Sequence, residues 1–364
     1  MIYHIYWGTS GNSGLYLDGI YSVLKDEGYE QKAFVNYYYP FNYGEKIFFK
    51  RGDIAYGNIK GKTRKIFQLI EVLKGYFIIL CKAIQDRPQL INYSHVGQSY
   101  YFVPLFLKIL KFVSGSRLMV TCHDVAPHCS GRSEMKYRRL IFNIADLLLV
   151  HNYHSRIELA NLFGVDTSKV VEHLFPVMDL SKLSMSSKKY ESVDFLFIGH
   201  VRQDKGAQLL IDAWLEFHRI HPSATLRICG GLRPGIFVNK ELLEKSNVEL
   251  NLHFISDEDY SAYVKSTRYV ILPYLQGTNS GIISTVLSLG ADVITSDIKM
   301  FSENPLISID DMFRNGDSKS LLQKLSEKFM SNDNTDSKKK IKKYNEEFER
   351  GVKYTYFSIL NKYD

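Results

Sequence analysis

Cysteine is scarce in this chain: four in 364 residues, at Cys81, Cys122, Cys129 and Cys229, with only the middle pair close in sequence. That spacing excludes a disulfide framework and points to a reducing, cytosolic compartment. Long apolar runs are missing as well. No stretch reaches the roughly eighteen uninterrupted apolar residues of a spanning helix. The nearest candidate, "YYFVPLFLKILKFV" at 100 to 113, contains Pro104, Lys108 and Lys111, and reads either as a helix packed on a sheet or as one lying on a membrane surface. The opening "MIYHIYWGTS" lacks the basic-then-apolar pattern of a secretory signal. No repeat of solenoid length occurs. The lysines gather mainly in the last part of the chain while aromatics are spread throughout, so there is no nucleic-acid module signature and nucleic acid is not an expected partner.

What is present is the composition of a globular protein, 45% hydrophobic and 23% charged, in a chain too long for one comfortable core. Two domains are expected. The formal net charge of +7 favours anionic partners such as phosphates, nucleotides, anionic lipid or nucleic acid, without by itself choosing among them.

Along the chain, two periodicities alternate. "IYHIYWG" predicts a strand, "GLYLDGIYSVLKDEG" a helix and "QKAFVNYYY" a strand, followed by the strands "PQLINYSH", "SRLMVTCHD" and "ADLLLVHN" between helical stretches. The pattern lapses after Pro176 into a serine- and lysine-rich linker and then restarts with "VDFLFIGH", the helix "GAQLLIDAWLEFHRIH", "ATLRICGG", "VELNLHFIS", "RYVILPY", the helix "GIISTVLSLG" and "DVITSDI". The expected organisation is an α/β domain at 1–178, a linker at 179–192, a second α/β domain at 193–335 and a helical segment at 336–364 able to pack back on the first domain. Within that last segment the lysine run at 338 to 343 reads as a solvated helix face, and Phe348, Val352, Phe357 and Leu360 as a docking face. Two parallel α/β units would face a ligand across a cleft with the carboxyl ends of their strands.

Four stretches carry candidate chemistry. In "FIGHVRQDKG", residues 197 to 206, a strand ends on a glycine and two cations before a helix begins. Arg202 offers a planar fork and Lys205 a mobile point charge, a pairing suited to a pyrophosphate, although both could be ordinary surface residues flanking Asp204. "GTSGNSGLYLDG", residues 8 to 19, is a glycine-rich turn containing Gly11 and Gly14 that lacks the complete dinucleotide fingerprint. "TCHDVAPHC" sets His123 and Asp124 at a strand's carboxyl end, where a histidine can accept a proton, hold a hydroxyl or simply be structural. Cys122, His123, His128 and Cys129 lie close together, but neighbours on a strand point to opposite faces and no C-x-x-C spacing occurs, so zinc is not expected. In "LPYLQGTNSGIISTVLSLG", Ser280 can cap a helix starting near Gly281, whose free N–H groups could hold a phosphate.

The second-half stretches, together with "VTCHDVAPH", resemble the retaining nucleotide-sugar glycosyltransferases of the two-Rossmann-domain GT-B type, in particular glycosyltransferase family 4. The resemblance implies that Arg202 and Lys205 bind the donor diphosphate, that Gly11 and Gly14 close over it, and that His123 contacts the transferred sugar. His200 directly follows Gly199 here, with the arginine two residues later. Where many members carry two glutamates eight residues apart, this chain has Gly277 and Thr285, which leaves Asn279 and Thr285 to serve the sugar and ribose. The activity implied is transfer of a sugar from a UDP- or GDP-sugar to a hydroxyl acceptor, a glycan or lipid-linked saccharide in surface polysaccharide synthesis, with retention and with no metal or cofactor. The expected setting is cytoplasmic, with peripheral contact at the anionic inner face of the cell membrane as a further option. The absent glutamates leave a catalytically inactive partner subunit of the same fold as the alternative, and an epimerase or phosphorylase as a third reading.

Overall fold

The computed structural model describes residues 1–7, 13–49, 62–94, 102–125, 132–178, 180, 188–277, 281–331 and 337–361. The chain divides into two compact units, unit 1 being Met1–Pro176 with Glu347–Asp364 and unit 2 being Val177–Glu346. Each is built on one wholly parallel sheet, so the α/β class expected of the sequence is the class observed.

Unit 1 has seven strands: β1 (Ile2–Tyr6), β2 (Gln31–Asn36), β3 (Gly44–Phe48), β4 (Leu90–Ser94), β5 (Arg117–Thr121), β6 (Leu147–Val150) and β7 (Val170–Glu172), in the order β3-β2-β1-β4-β5-β6-β7. Its helices are α1 (Ser13–Asp26), α2 (Lys62–Asp86), α3 (Phe102–Ser114), α4 (Arg132–Ile144) and α5 (Tyr153–Phe163). The pleat sends Tyr3, Ile5 and Trp7 into one core with Val72, Tyr76 and Ile79 of α2 and Val103, Leu107 and Leu110 of α3. Tyr6 joins Leu17 of α1, Ala33, Val35 and Tyr39 in a second, smaller cluster. Both faces of the sheet are covered, which is why its strands read as nearly continuous apolar runs. Pro104 sits in the first turn of α3, where a missing N–H costs no helix bond.

Unit 2 has six strands: β8 (Val193–Ile198), β9 (Leu226–Cys229), β10 (Val248–Asn251), β11 (Thr267–Leu272), β12 (Asp292–Ser296) and β13 (Met312–Phe313), in the order β10-β9-β8-β11-β12-β13. They alternate with α6 (Ala207–Ile220), α7 (Lys240–Glu244), α8 (Asp257–Lys265), α9 (Ile282–Ser288), α10 (Lys299–Ser302) and α11 (Ser318–Met330). Trp214 of α6 is fully buried, and its indole Nε1 donates to the Ser246 carbonyl at 2.8 Å, which satisfies the one polar atom the ring carries inside. Within the expected linker, 179 and 181–187 lie outside the described residues. Further on, Lys188 Nζ and the Tyr190 hydroxyl each donate to Asp259 of α8 at 2.7 Å.

The last helix, α12 (Ser337–Leu360), begins among the residues of unit 2 and from Glu347 belongs to unit 1. There Phe348, Val352, Tyr356 and Ile359 are buried. Asn92 Nδ2 donates to the Tyr356 hydroxyl at 3.1 Å, and Arg117 Nη1 donates to the Ile359 carbonyl at 2.8 Å. Phe357, expected on the docking face, is instead 59% exposed. Successive steps of four, four and three residues from Phe348 keep one helix face inward, and that face takes Tyr356 and Ile359.

Candidate functional site

In open parallel sheets, ligands collect where the strand order reverses, outside the carboxyl ends of the two strands that flank the reversal. In unit 2 those strands are β8 and β11. The loop leaving β8 holds Arg202 and Lys205, as the sequence placed them. Arg202 precedes a 3-10 turn at Gln203–Lys205, and Gly206, with φ 67°, passes the chain into α6. A Cβ on Gly206 would lie 1.7 Å from the Pro273 carbonyl oxygen, so only glycine lets this loop close on the one leaving β11. The Leu275 N–H donates to the Asp204 carbonyl at 2.9 Å and completes that junction.

The loop leaving β9 joins from the other side. Val201 bridges Leu232 in parallel, and the Arg233 N–H donates to the Val201 carbonyl at 3.0 Å. The approach depends on Gly230, with φ 136°, where a Cβ would meet the Gly199 oxygen at 1.6 Å. These contacts gather cations. The His200 imidazole is held below its ordinary pKa by burial first, and then by the positive fields of Arg202, Arg233 and Lys205. Arg233 was not among the candidates. Its signal in the sequence, an arginine in the glycine-rich turn "GGLRPG", only becomes informative once the β9 loop is known to lie beside the β8 loop.

Within the cluster Arg202 and Lys205 each have a local contact. Arg202 Nε lies 2.7 Å from Asp204 Oδ1. That approach is an ion pair without a hydrogen bond, since Arg202 Nε has no hydrogen-bond partner. Lys205 Nζ sits 3.6 Å from the centroid of the Tyr274 ring. Tyr274 is itself buried and packs on Phe301 at 5.3 Å.

Of the residues expected around the following helix, Asn279 and Ser280 lie outside the described residues. Gly281 precedes α9, which has seven residues. Thr285 is buried, 2% exposed, and its hydroxyl donates to the Gly281 carbonyl at 2.9 Å, while Ser284 Oγ donates to the same oxygen at 3.1 Å. The Thr285 hydroxyl proton is therefore committed inside the helix, which leaves its oxygen as an acceptor.

In unit 1 the order reverses between β1 and β4. Gly11 lies outside the described residues. Gly14 stands in the first turn of α1, where a Cβ would approach Pro40 Cδ at 3.0 Å. Two residues on, the Tyr16 ring meets His123 edge-on, with centroids 4.4 Å apart. His123 and Asp124 follow β5, and their loop is fixed by the buried Arg138 of α4, whose guanidinium donates to the Asp124 carbonyl, to the Val125 carbonyl at 3.3 Å and to Glu134 at 2.9 Å. Behind His123 stand two more imidazoles, His151 with centroids 5.6 Å away and His173 a further 5.4 Å on. Burial lowers the pKa of His123 to about 4, with Asp124 acting weakly against it. His151 is pushed down by burial and by the neighbouring histidines, and His173 reaches about 4 through burial. His123 is consequently neutral near pH 7, able to donate one hydrogen bond and accept another but contributing no charge. Among the described residues no three His, Cys, Asp or Glu side chains are grouped as metal ligands, and His128 and Cys129 lie outside them. Nor is any described helix long and apolar enough to cross a membrane.

No family model matches the chain, and no curated protein matches it in sequence. Solved structures do. A glycosyltransferase from Rickettsia africae ESF-5 aligns over 99% of both chains with a TM-score of 0.60 at 13% identity. WaaG, a glycosyltransferase involved in lipopolysaccharide biosynthesis, aligns over 100% of both with a TM-score of 0.60 at 11% identity. A putative UDP-N-acetylglucosamine 2-epimerase from Listeria monocytogenes covers 98% of this chain and 95% of its own, with a TM-score of 0.56 at 12% identity. At these identities the likeness establishes the fold, GT-B, and function has to be argued from the residues.

Proposed function

We propose that the protein is a glycosyltransferase that moves a sugar from a nucleoside-diphosphate sugar of the UDP or GDP type to a hydroxyl acceptor, with retention at the anomeric carbon. The observation that carries this reading is the pairing of the loop holding Arg202 and Lys205 with the loop holding Arg233, beside the strand-order reversal of unit 2. The chemical difficulty of the reaction is departure of a nucleoside diphosphate while the sugar becomes oxocarbenium-like. Fixed cations at the departing phosphates stabilise the developing charge without reorganisation, and in this reading they do so without a divalent metal. The C–O bond to phosphate breaks with its electron pair leaving on the diphosphate, the acceptor oxygen attacks from the same face, and the departing phosphate oxygen takes the acceptor proton. Neutral His123 fits a hydrogen-bonding contact with the transferred sugar, and Arg138 fixes the loop that carries it and Asp124. The acceptor in this reading is a glycan or lipid-linked saccharide of surface polysaccharide synthesis, met at the inner face of the cell membrane. The neighbours that are glycosyltransferases support the reaction class.

Calorimetric titration of UDP, GDP and ADP into the wild type, Arg202→Ala and Lys205→Ala is the direct test. Loss of one charge-assisted hydrogen bond of about 1.5–3 kcal/mol should weaken the preferred nucleotide about 10- to 100-fold in each variant. Unchanged affinity in both would remove the phosphate assignment. Tight binding by the wild type without transfer or donor hydrolysis would show a binding subunit instead of an enzyme.

A further inference from the structure

Helices α2 and α3 of unit 1 each have two apolar faces, and only one of them meets the sheet. On α2, Val72, Tyr76, Ile79 and Ala83 are buried. About 120° around the axis, a second stripe runs through Ile66, Ile70, Leu73, Phe77 and Ile84 for about 27 Å. These residues are exposed, Phe77 by 66% and Ile66 by 58%. On α3, Leu105, Ile109 and Phe112 recur at i, i+4 and i+7 opposite the buried Val103, Leu107 and Leu110, and Phe112 is 87% exposed. The two helices that carry these stripes pack side by side, with the buried Tyr76 of α2 stacked on Phe106 of α3, centroids 4.1 Å apart.

The charge of the molecule has the same address. By sequence, α2, α3 and α4 hold eleven Lys and Arg against three Asp and Glu, a net +8. The whole chain carries +7, so the remainder is close to neutral. Internal contacts account for some of these cations, Lys82 on Glu45, Lys111 on Asp146 and Arg138 on Glu134. Lys74, Lys108, Lys136 and Arg139 stand exposed around the stripes.

We propose that the outer face of α2, α3 and α4 docks this protein on an anionic bilayer, with Phe77, Phe112 and their apolar neighbours entering the headgroup boundary and the surrounding cations meeting lipid phosphates. Exposed aromatic and aliphatic stripes set among exposed cations are the pattern of an interfacial helix face. A second copy of the chain is disfavoured as the occupant, since apposing two such faces would bring the exposed Lys74, Lys108, Lys136 and Arg139 of each copy together. The sequence left open whether the α3 segment packs on a sheet or lies on a membrane. Its two faces allow both. The inference deepens the acceptor side of the reading above, which places the acceptor at a membrane, but it uses none of the nucleotide-site residues.

The test uses Cys81, an exposed residue between Phe77 and Ile84, as the attachment point for an environment-sensitive fluorophore, with Cys129 replaced by Ser; Cys122 and Cys229 are buried. Vesicles of phosphatidylcholine, with and without phosphatidylglycerol, are added at rising salt. We expect uptake and a blue shift only with phosphatidylglycerol, both declining with salt, and a loss of partitioning of at least about tenfold in Phe77→Ser/Phe112→Ser with thermal unfolding unchanged. No phosphatidylglycerol-dependent uptake, equal uptake by the double variant, or self-association through this face without vesicle binding would each overturn the proposal. Nucleotide binding measured on the same variants separates the two readings: intact nucleotide affinity without vesicle uptake sinks the docking face alone, and the reverse sinks the phosphate site alone.

Discussion

Acidification should destabilise unit 1 before its carboxylates titrate. His4 and His173 are almost completely buried and neutral, with folded pKa values near 4 set by burial, against an ordinary value of about 6.5. Because the folded pKa is the lower one, the unfolded chain binds more protons between those values. The contribution is fully present above about pH 6.5 and is lost as the pH falls toward 4. Going from about pH 7 to about pH 5, each such group costs about 2 kcal/mol, so the pair removes about 4 kcal/mol. His151, displaced in the same direction by burial and by its histidine neighbours, adds to that loss. Against a typical total of about 5–15 kcal/mol this is a large fraction, and it corresponds to a fall in Tm on the order of 10 °C. Denaturant unfolding followed across this pH range, with calorimetry in buffers of different ionisation enthalpy to count protons, measures it directly. A flat stability profile over the range, or uptake of fewer than about two protons on unfolding near pH 5, would refute the argument.

The junction of the β8 and β11 loops gives a second expectation. Gly206→Ala places a Cβ against the Pro273 carbonyl at a backbone φ of 67°, so it should destabilise unit 2 by about 3 kcal/mol or more in urea unfolding, and wild-type stability would show that the loop closes otherwise. Arg233→Glu keeps a long side chain but reverses a charge beside Arg202 and Lys205; it should weaken nucleoside-diphosphate binding about tenfold or more, with a smaller loss at high salt, and unchanged calorimetric affinity would exclude Arg233 from the cluster.

How far the sequence foretold this molecule depends on burial. Strands such as "LINYS" and "VDFLFI" are buried on both faces, so their apolar runs stand out without any knowledge of neighbours. Short edge strands carry no such signature: β3, with only Phe48 fully buried, β7 and β13 did not stand out from the surrounding turns. Side-chain direction was the other weak point. The sequence offers Thr285 as a polar residue near the start of a helix, but the one-turn return to Gly281 that engages its hydroxyl appears only once the helix exists. Arg233 is the same problem at longer range, a lone arginine in a turn until β9 is paired with β8. Arg202 and Lys205 were legible because the strand, glycine and helix that position them are contiguous.

The path of α12 has a consequence for how the molecule is made. Residues from Glu347 onward complete unit 1, covering Asn92, Arg117 and His173, yet they leave the ribosome only after every residue of unit 2 has been translated. The first sheet must therefore wait with one flank open while the second folds, a delay in which its bare β4 and β5 surface is the natural target for a chaperone.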